Sequence, residues 1–327
     1  MTTARPASRT PSATSAPATS TTDRSPGTGT GGGPALGGPA PRVDIVLLAV
    51  AIAGISLSAP LIATIAAPAF AIAFWRNAMA VGALTPVALF RHRDRAELRG
   101  MGRRALLLSV AAGALLALHF AVWMPSLRMT SVASSTALVT TTPVWTTLLL
   151  RLRGHRPAPL VWAGTGLAVL GVLILTGVDF AVSPRALAGD ALALAGGIAA
   201  AGYVLLGAEV RRTVGTVAYT YVLYLTTAVL LLVVCLAAGA PLAGYDAGTW
   251  LKLALLTVTA QLLGHSLINR VVKGLGPSVT STAILLETPG AALIAALWLG
   301  QLPPVAAYPA LAVILLGLAF VIRADRR

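Results

Sequence analysis

The 327-residue chain predicts an all-α integral membrane protein of ten transmembrane helices, arranged as two inverted five-helix repeats, and three observations lead there. The first is composition: 57% of residues are hydrophobic and 10% charged, with a mean hydropathy of +0.83. Soluble domains run nearer roughly 45–50% apolar and about 25% charged. The second is the recurrence of apolar runs near the roughly 20 residues that cross a hydrocarbon core of about 30 Å. The third is that the second half of the chain repeats the first.

In chain order, residues 1–42 are Thr, Ser, Pro, Gly and Ala with scattered Arg and almost no acid. Such a segment buries too little apolar surface to order itself and is predicted to be a disordered cytoplasmic tail. Ten apolar runs follow at 43–66, 69–90, 105–125, 129–150, 159–177, 188–210, 215–239, 250–269, 276–299 and 303–322. They divide the chain into a first repeat at 43–177, a connecting loop at 178–187, a second repeat at 188–323 and a C-terminal end at 324–327. No charged stretch with a short apolar core and a small-residue cleavage site precedes Val43, so no cleaved secretory signal is expected.

The net charge of +14 raises the prospect of a nucleic-acid partner, but the basic residues follow the membrane instead. Of the 24 Lys and Arg, 20 fall in the N-terminal tail, the even-numbered loops and the C-terminus; the odd loops hold only Arg128, Arg185 and Lys252, and Arg76 lies inside a helix. Positive-inside bias places both termini in the cytoplasm and supports an even number of crossings. The partners expected are therefore a lipid bilayer, that of the plasma (inner) membrane, and a small-molecule substrate, with no nucleic acid; a homodimer is left open. The single cysteine, Cys235, excludes a disulfide within one chain.

The repeat is carried by residues whose coincidence is not cheap in apolar sequence. His119 matches His265, 146 positions on, and the same offset pairs Ser135-Thr136-Ala137 with Ser281-Thr282-Ala283, Thr142-Pro143 with Thr288-Pro289, Gly171 with Gly317, and Asp44 with Asp190. Five helices per copy is an odd number, so the second copy enters the membrane from the opposite side. Inverted repeats with interrupted helices at matching positions are a property of secondary transporters.

The segments TALVTTTPVWTTLLL, residues 136–150, and TAILLETPGAALIAALWLG, residues 282–300, each lead to a Pro-bearing start of another helix. They resemble the fourth and ninth helices of drug/metabolite-type transporters of the EamA group, and the likeness extends over nearly all of 43–323. It takes in the Asp190 opening of the second copy and Arg76 after its aromatic pair. The resemblance implies ten helices, cytoplasmic termini, and export or exchange of small metabolites through a central cavity. The Gly-Glu pair often found after helices four and nine reads Gly154-His155 and Gly300-Gln301 here. No role for a carboxylate at those helix ends is carried over.

Candidate substrate- or proton-binding residues are Glu287, His119, His265, Arg76, Thr141, Trp123, Tyr203 and Asn269, with helix breaks at Pro143 and Pro289. Glu287 lies 11 residues beyond Gly276, roughly 16 Å into the core, where an acid is costly and faces a bundle interior or wet cavity. Pro289 has no amide for the carbonyl of Leu285, which leaves that carbonyl bare in a continuous helix. Thr141 is the repeat mate of Glu287. The histidines can pass protons or bind a ligand, or sit neutral between helices. Arg76, about seven residues from the outer end of its helix, fits snorkelling, a structural ion pair or recognition of a substrate carboxylate. Ser56, Ser58 and Gln261 join Trp123, Tyr203 and Asn269 as possible lining or packing residues. No metal site or cofactor motif is found: there is no nucleotide-cradling loop and no zinc-type His-Glu-x-x-His.

These features favour a secondary transporter of small metabolites such as amino acids or related compounds over an integral-membrane enzyme or a channel or receptor. Coupling to protons through Glu287 is one reading of the site. The topology has a direct check: cysteines placed at Thr30, Glu97 or Asp325 are expected to resist an impermeant thiol reagent in intact cells, and one at Asp246 to react. Labelling of the first three without lysis overturns the orientation.

Overall fold

Backbone in hydrocarbon has no water to bond, so each segment must satisfy its own polar groups, which a helix does. The computed structural model describes residues 42–130, 132–176, 183–299 and 307–325, and every regular element among them is helical. The N-terminal tail before Arg42, the first half of the connecting loop, Gly300-Gln301 and the start of the tenth run lie outside the described residues.

Among the described residues six stretches are long and apolar enough to cross a membrane: Arg42–Thr64, Ala69–Phe90, Arg103–Ser126, Pro184–Val210, Thr216–Ala237 and Ala247–Ile284. The first is two helices, α1 (Arg42–Ser56) and α2 (Ser58–Thr64), broken at Leu57. α3 (Ala69–Phe90), the short polar α4 (His92–Arg99) and α5 (Arg103–Ser126) follow. The fourth run, read from sequence as one helix, is α6 (Val132–Val139) and α7 (Thr142–Leu152) with a break at Thr140-Thr141. α8 (Pro159–Thr176) ends the first copy.

The second copy opens with α9 (Pro184–Val210) and α10 (Thr216–Ala237). α11 (Ala247–Leu256) then continues through nine π-helical residues, Thr257–His265, into α12 (Ser266–Ile284). Within α12 Gly276 has φ 75° and ψ 163°. Only glycine takes that conformation without strain, and Pro277 after it offers no amide, so two helices meet there at a kink. α13 (Glu287–Leu299) and α14 (Ala307–Asp325) complete the chain. The eighth and ninth runs therefore meet at Gly276, and the ninth is itself broken at Leu285-Leu286.

Polar side chains cap helix starts: Ser183 accepts from the Ala186 amide at 3.1 Å at the start of α9. Asp246 accepts from the Thr249 amide at 3.0 Å and the Thr249 hydroxyl at 2.8 Å, which starts α11 and holds the carboxyl below its ordinary range. Glu97 of α4 accepts from the Gly215 amide and so caps α10. Sequence reading missed α4, because a charged octapeptide between two apolar runs carries no signal distinguishing helix from loop.

Packing respects an exchange of the two copies. α5 lies on α9, and their counterparts, the α11–α12 leg and α1, lie on each other; α3 pairs with α10 and α8 with α14. Small residues make these crossings close, as in membrane helices generally. A Cβ added to Gly54 would stand 2.5 Å from the carbonyl oxygen of Thr259, and one on Gly317 would stand 2.5 Å from the Ala168 amide and 2.6 Å from the Gly164 carbonyl. At Gly317 the obstacles include backbone, which cannot swing aside.

Gly317→Leu is accordingly expected to destabilise the α8–α14 pair by about 1–3 kcal/mol, the ordinary cost of overpacking. Gly82→Ala, where nothing lies within 4 Å, is expected to leave thermal unfolding of the detergent-solubilised protein unchanged or slightly raised. Equal melting of Gly317→Leu and wild type overturns this packing account.

Candidate functional site

A helix interrupted inside a membrane must have its loose backbone groups met by protein or by cavity water. The matched fourth and ninth spans, each interrupted, solve this locally. At the second break the Leu285 carbonyl, left without a donor by Pro289, accepts from the Thr288 amide at 3.3 Å, and the Leu286 carbonyl accepts from the Gly290 amide at 3.1 Å. The sequence expectation of a bare Leu285 carbonyl is thus corrected: Pro289 sits in the first turn of α13, where its missing amide costs nothing. At the first break the Val139 carbonyl accepts from the Thr142 hydroxyl at 2.9 Å, with Pro143 in the first turn of α7.

The two breaks touch. Thr140 and Thr288 share a hydrogen bond between their hydroxyls at 3.0 Å, buried at 1% and 2% exposure. Glu287 is the first residue of α13, so its carboxyl group lies at the positive end of that helix's dipole. It is buried, and among the described residues it has neither a hydrogen bond nor a salt bridge.

Glu287 instead lines a cavity of about 40 Å³, enough for a few waters. The polar lining is Ser58, His119, Thr140, Thr142, Tyr203 and His265, with Trp123 among the apolar walls. These residues come from the α1–α2, α5 and α6–α7 spans of the first copy and their three counterparts in the second. His119 and His265, repeat mates, face the same space. Both rings contact Phe120 edge to face, at centroid distances of 4.8 and 5.6 Å, and Trp123 stacks on His119 at 5.5 Å. Nδ1 of His119 lies 3.0 Å from the Gly196 carbonyl oxygen. A carbonyl only accepts, so Nδ1 carries the proton. Nδ1 of His265 lies 3.4 Å from the Tyr203 hydroxyl. Gly197 lets α9 approach this wall, since a Cβ there would meet the Val139 carbonyl oxygen at 2.8 Å.

Arg76 sits one layer behind the cavity and is wholly buried. It does not snorkel, and among the described residues it has no ion pair. Its Nε donates to Gln261 Oε1 at 2.7 Å, Nη1 donates to the Ser58 hydroxyl at 3.3 Å, and the guanidinium carbon lies 4.5 Å from the Phe120 ring centre. Gln261 donates in turn to Asn77 Oδ1 at 2.9 Å. A desolvated cation is thus held by dipoles and an aromatic face rather than by a carboxylate.

Two further candidates stand off the cavity. The Thr141 hydroxyl turns to the Leu138 carbonyl at 2.6 Å and accepts from the Trp145 indole at 3.2 Å. Asn269 is buried where its backbone carbonyl accepts from Arg211 Nε at 3.0 Å. Sequence reading missed Thr140 and Thr142, which line the cavity on either side of Thr141. The run of three threonines at a helix break was the available signal. Among the described residues no three His, Cys, Asp or Glu side chains gather as a metal site would require.

A solved crystal structure, described only as that of a protein, superposes on 88% of this chain and 99% of its own with a TM-score of 0.67 at 20% identity. That likeness shows the fold. No curated protein matches the chain. The model of the EamA-like transporter family matches twice, at residues 43–177 and 187–323. With both copies matched and most of the sequence covered, the chain belongs to the EamA-like transporter family, whose members are membrane transporters of small molecules.

Proposed function

We propose that the protein is a secondary transporter that exports or exchanges small metabolites, amino acids or related compounds among them, by alternating access. In this reading ten crossings form two inverted five-helix repeats in the plasma membrane, with both termini cytoplasmic. The observation that carries it is the central cavity, to which three spans of one copy and their three counterparts contribute, with the two interrupted helices bonded at Thr140 and Thr288. A site made equally by two related halves opens to one side or the other when the halves rock. At about 40 Å³ the cavity is closed around less than a metabolite, so rocking must open it. The lining offers one carboxylate, two imidazoles, hydroxyls and aromatic faces, which suits a small polar or amphipathic solute.

Glu287 is the group assigned to proton coupling or to a cationic part of the solute, because it faces the cavity without a hydrogen-bonded partner among the described residues. Counterflow of labelled amino acids and related metabolites in proteoliposomes tests the class: a channel gives no counterflow, and an enzyme alters its solute chemically. Glu287→Gln keeps the shape and removes the ionisation. If Glu287 couples protons, the variant loses accumulation driven by a pH gradient but keeps solute exchange. If it only holds solute, both fall together. Activities and a pH profile equal to wild type in a normally inserted protein would make Glu287 a packing residue.

A further inference from the structure

The face of the bundle that carries most of the basic residues holds a second concavity, larger than the central one and separate from it. It lies between α4, the start of α5, the end of α9 and the turn into α10, with a volume of about 650 Å³. Arg104 and Arg212 converge there on the two oxygens of Glu209, each at 3.3 Å. Both arginine side chains are mostly exposed, at 83% and 62%. Ion pairs so open to water are weak, and the guanidinium groups are free to exchange Glu209 for a better anion. Two planar guanidinium forks at one point match a phosphate, which they bind in bidentate fashion.

The groove also contains two carboxylates, Glu97 and Glu209, against its two guanidinium groups. Its balance of charge is neutral, with both poles present. A ligand with phosphate alone would meet the acids unfavourably; one with a phosphate and a primary ammonium satisfies both. The apolar residues Met101, Leu108 and Val214 complete the wall. From Arg104 an exposed apolar stripe descends α5 through Leu107, Ala111, Ala114 and Leu118, spaced three or four residues apart and therefore on one helix face. Leu107 is 57% exposed and Leu118 51% exposed.

We propose that this groove binds the headgroup of a single aminophospholipid, the phosphate held by Arg104 and Arg212 and the ammonium by Glu209 and Glu97, with an acyl chain along the α5 stripe. The proposal rests on the membrane-embedded reading of the chain and not on what it transports. Basic pockets between helices near the membrane surface are recognised lipid sites.

The test uses full-length protein, delipidated in detergent and then offered phosphatidylethanolamine, phosphatidylcholine, phosphatidylglycerol or the soluble headgroup O-phosphoethanolamine. Native mass spectra should show one retained phosphatidylethanolamine, accompanied by a higher melting temperature. Arg104→Ala with Arg212→Ala should weaken that retention about thirtyfold, on the order of a factor of five for each basic side chain near a lipid surface. Arg153→Ala, an exposed basic residue outside the groove, should leave it unchanged. Glu209→Gln, which keeps both arginines, should narrow the preference for ethanolamine over glycerol headgroups. Equal retention of all three lipids, an unaffected double variant, or an unchanged headgroup preference in Glu209→Gln overturns the proposal. Equally tight binding of O-phosphoethanolamine assigns the groove to a soluble phosphate ester and overturns the lipid. Transport is not the readout, so failure here leaves the transport reading standing.

Discussion

A peptide group deep in hydrocarbon has no tolerable state except bonded, and the centre of this protein is arranged around that constraint. The matched fourth and ninth spans stop and restart in the interior, and each restart needs shelter from lipid. The shelter is mutual: the stops are placed against one another, with Thr140 and Thr288 bonded across them. Around that contact the α1–α2, α5, α9 and α11–α12 spans complete the lining, and the polar side chains of Ser58, His119, Tyr203 and His265 gather there. The cavity is thus where irregular backbone is permitted, and a carboxylate such as Glu287 is tolerated for the same reason as the break beside it.

Charge in this interior is handled unevenly. Arg76 is surrounded by fixed dipoles from Ser58 and Gln261 and by the face of Phe120, from three different spans. Glu287 has the end of a helix behind it and space before it. Among the described residues the two form no ion pair. A direct salt bridge would have consumed both groups. Kept apart, Arg76 is a fixed part of the packing behind the cavity, and Glu287 is left facing the space that the proposed transport reading uses.

Much of this was legible in the sequence. Periodic apolar runs, the constant offset between copies and the Thr-Pro pairs at matching places located the helices, the repeat and the breaks near Pro143 and Pro289. Depth along the helix singled out Glu287, and the matched histidines led to residues that share one cavity. What the sequence did not carry was side-chain direction. Arg76 was placed near enough to the helix end to reach the surface, yet Gln261, remote in sequence, turns it inward. Thr141 aligned with Glu287 but faces its own helix, because a break of one or two residues rotates its neighbours into the cavity. Such rotations depend on which carbonyl each hydroxyl finds, and those partners were set by packing between spans.

The π-helical stretch Thr257–His265 has no twin. The corresponding residues of the first copy, 111–119, belong to the unbroken α5. Two halves identical in sequence would make the inward-open and outward-open forms equivalent through a two-fold rotation and equal in free energy, and an idle carrier of that kind would divide its time evenly between them. The halves here differ in sequence, and a wider helical turn found in one and not at the matching place in the other is part of what lifts that degeneracy. Under the proposed alternating access the resting protein therefore has a preferred side, and the affinity it displays to solute differs between the two faces of the membrane even when no gradient is applied.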